Sequence, residues 1–252
     1  MRILLRLSTG EARFKELNEA VTNTRTLTRR LKELRAGGLV RKIGLSYRIT
    51  GEGFETTLGV ADVEGGTKLK WARDEGLNKI RYRWMKISLR RLVELFAEEF
   101  EGELVSVVLY GSSMKETFEL GRSDIDLLYI LEDGVKNIWK REENVFKHFQ
   151  STWEYVACDY LLKTRGYYGY PEVATASLQR SSAETFQPVY LDMISRRSVL
   201  YEKEMFFQRL MKKLQEALKA LGTIRIEYAD GAYCWLLKPD IVPGEQIRIM
   251  LR

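Results

Sequence analysis

Histidine is nearly missing from these 252 residues: His148 stands alone, and there are only two cysteines, Cys158 and Cys234. One histidine excludes the usual His-rich zinc sites, and two cysteines cannot build a disulfide framework. A catalytic metal would therefore rest on oxygen ligands. Long apolar runs are missing as well. The longest, Val105 to Tyr110 and Ile125 to Leu131, fall far short of the about 20 residues that a spanning helix needs. Met1 leads straight into an amphipathic pattern rather than a signal peptide, so the expectation is a cytoplasmic protein with no membrane partner.

What is present suits packed cores: 45% of residues are hydrophobic, 30% charged and 11% aromatic. The length predicts one medium domain with a small appendage. The formal charge of +6 is unevenly placed. Residues 1–55 hold twelve Lys or Arg against six Glu, whereas the rest of the chain holds 29 of each sign. An anionic partner is expected to meet the N-terminal part.

There, apolar residues recur at helical spacing through Ile3, Leu4 and Leu7, then Phe14, Leu17 and Val21, then Leu27, Leu31 and Leu34. Gly37 and Gly38 can close the third helix, and Leu39–Lys42 and Ser46–Thr50 read as two strands around Gly44. Three helices and a hairpin, with the run LTRRLKELRAGGLVRKIGLSYRITGEG, resemble the transcription-regulator versions of the winged helix-turn-helix. The resemblance predicts such a domain over residues 1–58 and implies double-stranded DNA as a partner. It implies that Arg25, Thr26, Arg29 and Arg30 enter the major groove from the third helix, and that Arg41, Lys42 and Arg48 reach phosphate from the wing. The same fold also serves protein interaction or dimerisation, and a basic helix face is often only solvated.

Residues 59–84 read as a basic linker leading into a helix. Met85–Phe100 has clean helical periodicity at Leu89, Leu92, Val93 and Phe96, and should pack on the sheet that follows. Leu104–Tyr110 is a β-branched strand that ends on Gly111-Ser112, and SMKE at 113–116 fits a capping box and so a helix start. A strand, a glycine-serine turn and a helix start would cradle phosphate. Ser123–Leu131 is a second strand, on which Asp124 and Asp126, two apart, share a face. Two such carboxylates are most simply explained by a divalent cation between them.

Gly-Ser, eleven residues, then Asp-x-Asp, each after or within an apolar strand, resembles the minimal nucleotidyltransferases of the DNA polymerase beta superfamily. The resemblance implies that Gly111 and Ser112 hold the triphosphate of a nucleoside triphosphate such as ATP. It further implies that Asp124 and Asp126 bind two Mg2+ ions, with Mn2+ as substitute, and that a third carboxylate lies on a later strand. Trp153–Leu162 reads as that strand, with Asp159 in its apolar middle as the third catalytic and metal-binding acid. Glu154 is the fallback, and an ion-paired structural acid is the alternative. Ser113, Lys115 and Arg122 are candidate nucleotide-binding residues, the last two equally readable as solvated cations. In the loop RGYYGYPE, Tyr167, Tyr168 or Tyr170 is a candidate for stacking on the base, although packing is the commoner use of such tyrosines.

YLDMISRRSVLYE at 190–202 resembles the end of such cores, giving a nucleotidyltransferase core over residues 85–202. Residues 203–252 then hold a helix, with Phe207, Leu210, Leu214 and Leu218 on one face, and a hairpin turning at Ala229-Asp230-Gly231. That tail is read as serving acceptor specificity, homodimerisation or cover for the core. The expected fold is thus α+β: a winged helix-turn-helix, a mixed sheet flanked by helices, and a C-terminal helix with a β-hairpin. The expected activity is transfer of a nucleoside monophosphate to a hydroxyl on a protein, such as a toxin-like partner, on a small molecule or on an RNA end. The rival is a DNA-binding regulator whose nucleotidyltransferase-like domain senses nucleotide without turnover.

Overall fold

The computed structural model describes every residue except 22, 67–70, 117, 230, 231, 243 and 252. The turn expected at Ala229-Asp230-Gly231 lies in part outside the described residues. The chain forms two compact units: Met1–Glu99 with Glu119–Arg122 and Trp139–Glu172, and Phe100–Phe118 with Ser123–Ile138 and Val173–Arg252.

The first unit opens with α1 (Arg2–Leu7), β1 (Ala12–Arg13), α2 (Phe14–Val21), α3 (Thr24–Ala36), β2 (Val40–Ile43) and β3 (Ser46–Ile49). Leu7, Leu17, Leu27 and Leu31 are buried, as the helical periodicity requires. Asn23 caps α3 by accepting the Thr26 backbone N–H at 2.9 Å. β2 and β1 flank β3 in a small antiparallel sheet, which completes the winged helix-turn-helix order.

Where a linker was expected, α4 (Gly51–Gly66) continues directly from the wing. Within it Gly53 is required by packing, since a Cβ there would stand 2.2 Å from the Leu39 carbonyl oxygen. After α5 (Asp74–Leu77), α6 (Arg83–Glu99) packs against α4, with Asp62 paired to Arg90 at 2.8 Å and to Lys86 at 3.2 Å. Burial works against the Asp62 charge, but hydrogen bonds from Arg90 and Lys86 outweigh it and hold the carboxyl below its usual range.

The unit closes with α7 (Ile138–Ser151) and α8 (Trp153–Thr164). The strand expected at Trp153–Leu162 is therefore a helix. Thr152 caps it by accepting the Tyr155 N–H at 3.3 Å, and Ala157, Cys158, Leu161 and Leu162 form its buried stripe. Tyr170 is no base-stacking residue. Its hydroxyl lies 2.7 Å from that of Ser88, and its ring packs on Trp84, Phe149 and Tyr155 at centroid distances of 5.6, 5.8 and 5.0 Å.

The second unit is built on the mixed sheet β6–β5–β4–β7, with β4 (Leu104–Tyr110), β5 (Ile125–Leu131), β6 (Val173–Gln179) and β7 (Ser198–Glu202). β4 is antiparallel to β5 and β7, while β5 and β6 run parallel. α9 (Arg180–Ala183) and α10 (Val189–Met193) connect β6 to β7, and α11 (Phe206–Ala220) lays Phe207, Leu210, Met211 and Leu214 on Val105, Val108, Leu128 and Ile130. β8 (Ile224–Glu227) and β9 (Tyr233–Leu236) make the C-terminal hairpin. Among the described residues no helix is long and apolar enough to cross a membrane.

Because Tyr170 anchors the core of the first unit, Tyr170→Ala should lower stability by about 3–5 kcal/mol, measured by urea denaturation. A change below about 1 kcal/mol would return this ring to the list of candidate ligand contacts.

Candidate active site

The register of β4 and β5 sets Tyr110 opposite Asp126. β4 therefore delivers Gly111 and Ser112 to the end of the sheet at which β5 begins. Gly111 has φ +72°, and a Cβ there would stand 1.9 Å from Asp126 Oδ2. Only glycine supplies both the left-handed backbone and the space. The Ser112 backbone hydrogen-bonds the Asp126 carboxylate, and the Ser112 hydroxyl lies 3.5 Å from the Asp124 carbonyl oxygen.

The helix start expected at SMKE is not formed. Gly111–Met114 is a single 3-10 turn that ends at Lys115, whose backbone is extended. Ser113 is buried and donates its hydroxyl to the Tyr110 carbonyl at 2.8 Å rather than capping a helix. The helix-dipole part of the phosphate argument falls away with it, which leaves the Gly111-Ser112 turn and nearby side chains.

Asp124 is exposed and Asp126 half-buried. Burial pushes the Asp126 carboxyl above the usual aspartate range, and the Asp124 charge pushes the same way; the Ser112 backbone and the Lys115 charge pull against them. The side chains gathered here offer oxygen donors only, the kind of ligand a hard divalent cation takes. Among the described residues no group of three His, Cys, Asp or Glu could hold a metal.

Lys115 leads from Asp126 into a cleft of about 440 Å3 that it shares with Asp192, Arg196, Arg225 and Tyr233. The Tyr233 ring has the Arg225 guanidinium 4.2 Å and the Lys115 amino group 5.8 Å from its centroid, and its hydroxyl donates to Asp192. These four residues escaped the sequence reading, because nothing local says that the β8–β9 hairpin closes back toward Lys115. Arg122 is exposed and pairs with Glu119 at 3.3 Å.

Asp159 projects from α8 rather than from a strand, and both its oxygens are engaged. Oδ1 accepts the Tyr170 N–H at 2.9 Å and Oδ2 meets Lys163 at 2.8 Å. Gly169 makes room for this carboxylate, since a Cβ there would stand 2.4 Å from Oδ1. β6, the strand parallel to β5, reads VATASLQ and contains no acid; Glu172 precedes it by one residue in the chain.

Of the expected DNA contacts, Arg29 and Arg30 both pair with Glu33, at 3.7 and 3.0 Å. Thr26 is half-buried at the cap of α3, and Arg25 is exposed. On the wing, Arg41 stands opposite Arg48, and Lys42 stands opposite Tyr47. Arg48 is paired with Glu11.

A carboxyl whose folded-state pKa is raised costs stability once it ionises. The penalty is absent below the unfolded value of about 3.9 and complete above the raised one. Asp126→Asn should therefore raise the melting temperature at pH 7 in chelator, and the gain should vanish toward pH 3. An equal gain at both pH values would deny this account of the pair.

Residues 89–173 match the family model of the nucleotidyltransferase domain, a stretch that includes Gly111, Ser112, Asp124, Asp126 and Asp159. Residues 1–55 match the HxlR-like helix-turn-helix. Searches of the curated proteins and of the solved structures gave no match. The chain thus carries two recognisable modules, a nucleotidyltransferase domain and, ahead of it, an HxlR-like helix-turn-helix.

Proposed function

We propose that this protein is a metal-dependent nucleotidyltransferase that moves a nucleoside monophosphate from a nucleoside triphosphate to a hydroxyl acceptor, and that its N-terminal module binds double-stranded DNA. The observation that carries the first part is Asp126 on β5 with Asp124 just ahead of the strand, and the Gly111-Ser112 turn packed directly on Asp126. In this reading the two aspartates hold Mg2+. When bound, the cations lower the pKa of the acceptor hydroxyl and offset charge on the transferring phosphoryl group.

The chain's own residues do the rest. The Gly111-Ser112 turn offers the Ser112 hydroxyl to the triphosphate, its Ser112 N–H being held by Asp126, and Lys115 supplies a positive charge beside it. Arg196, Arg225 and Tyr233 line a cleft suited to the remainder of the nucleotide or to the acceptor. The acceptor oxygen bonds to the α-phosphorus in line as the bond to pyrophosphate breaks, and the acceptor proton passes to solvent. Asp159 is assigned a structural role: it ties Tyr170 and Lys163 to α8.

The test is transfer from α-labelled nucleoside triphosphates with Mg2+ or Mn2+, offered protein, small-molecule and RNA acceptors, with pyrophosphate release followed in parallel. Asp124→Asn/Asp126→Asn should reduce transfer by on the order of a thousandfold while the protein stays folded. Asp159→Asn should lower the melting temperature and leave most transfer intact; loss of transfer at an unchanged melting temperature would make it a metal ligand instead, and Glu172→Gln run beside it asks the same of that acid. Metal-dependent nucleotide binding with no turnover on any acceptor would replace the enzyme by a nucleotide-sensing regulator.

For the DNA-binding part, Arg25→Ala and Lys42→Ala should each weaken duplex binding uniformly across sequences. Each should also reduce the slope of log affinity against log salt by about 1. Fluorescence anisotropy across a salt series reads both, and an unchanged slope would remove these residues from the phosphate contacts.

A further inference from the structure

We propose that the first unit contains a second, metal-independent ligand site, between the inner face of the wing and α8, that takes a small phosphate-bearing molecule of nucleotide size. The inference does not rest on the transfer reaction, since neither Asp124 nor Asp126 belongs to this unit.

The β2–β3 register sets Arg41 directly across from Arg48, so two guanidinium groups leave the same face of the hairpin side by side. Like charges at such positions destabilise a sheet unless something neutralises them. Glu11 does so for Arg48, accepting from its Nε at 2.6 Å and also from Nη2. Arg41 is exposed and has no ion pair or hydrogen bond among the described residues. The pair is therefore only half compensated.

That face opens on a cleft of about 550 Å3 which Lys163, Arg165 and Tyr160 also line, within the size range of small-molecule sites. Four cations line it against the single carboxylate of Glu11. Three of the four are each paired with an acid: Arg48 with Glu11, Arg165 with Glu55 at 3.0 Å and Lys163 with Asp159, one turn away on α8, at 2.8 Å. Cations fixed beforehand lose little freedom when an anion arrives. Tyr160, half-buried and packed on Phe54 at 5.8 Å, gives the cleft a flat apolar wall against which a base can lie. A phosphate group on Arg41, bridging toward Arg165, would complete the neutralisation that Glu11 begins.

The concave shape favours a small ligand over duplex DNA, whose phosphates meet convex surfaces such as α3 and the opposite wing face bearing Lys42. Because Arg41 has no partner to lose, its replacement leaves the fold intact.

Calorimetric titration of the full chain in EDTA tests the site, with ATP and pyrophosphate as probes, in wild type and in Asp124→Asn/Asp126→Asn. Both proteins should bind one equivalent of ATP without metal. Arg41→Ala should weaken ATP and pyrophosphate by about tenfold or more, Arg41→Lys should restore part of the loss, and Tyr160→Leu should weaken ATP alone. No binding of either probe at millimolar concentration would overturn the proposal. So would binding that Arg41→Ala leaves unchanged, or an Arg41→Ala defect confined to duplex DNA, which would make this face a DNA contact.

Discussion

The absence of one atom, the Cβ of residue 111, is the constraint on which the candidate site depends. β4 and β5 place Tyr110 against Asp126, and the next residue must turn out of the sheet at once. Gly111 does so at φ +72°, and the space that a side chain would fill is occupied by the Asp126 carboxylate. The Ser112 backbone then binds that carboxylate, so the turn and the acid fix each other. Everything behind them serves to keep the two strands in register: a strand pair buried along nearly its whole length, backed by the apolar stripe of α11. A half-buried acid beside another acid is unfavourable by itself, and such tension at a strand end is what a cation-binding function would relieve.

This arrangement was legible in the sequence where periodicity is unambiguous. β4 and β5 are short β-branched runs bounded by turn residues, which puts Asp126 on the strand, although β5 begins at Ile125 and leaves Asp124 one residue ahead of it. The three N-terminal helices were legible for the complementary reason, apolar residues repeating at spacings of three and four. Trp153–Leu162 was misread because an apolar, aromatic run of ten carries both patterns. The deciding signal was Thr152 just ahead of it, a cap that only a helix uses. SMKE shows the reverse error: the letters of a capping box are present, but the turn at Gly111 engages Ser113 with Tyr110 before it can cap anything. The cleft around Tyr233 was beyond sequence reasoning, since it joins residues more than a hundred positions apart by tertiary folding alone.

Charge is the property to which the structure adds most. The sequence counts cations, whereas binding depends on which of them are free. Of the seven residues expected at DNA, Arg29 and Arg30 share Glu33, Arg48 is held by Glu11, and Thr26 is half-buried at a helix cap. These engagements differ in depth, and the difference decides their meaning. The Glu33 pairs lie on an exposed helix face, with arginine side chains 66% and 57% exposed. Pairs of that kind are worth between nothing and about 1 kcal/mol, so a phosphate can displace Glu33 at small cost. Arg48 and Glu11 are each about one-third exposed and joined by two hydrogen bonds, and they sit beside a second arginine across the strand. That acid is needed where it is, because removing it would leave two guanidinium groups facing each other. The α3 arginines are therefore available to DNA, whereas the inner wing face is already arranged around a negative charge and has room for one more.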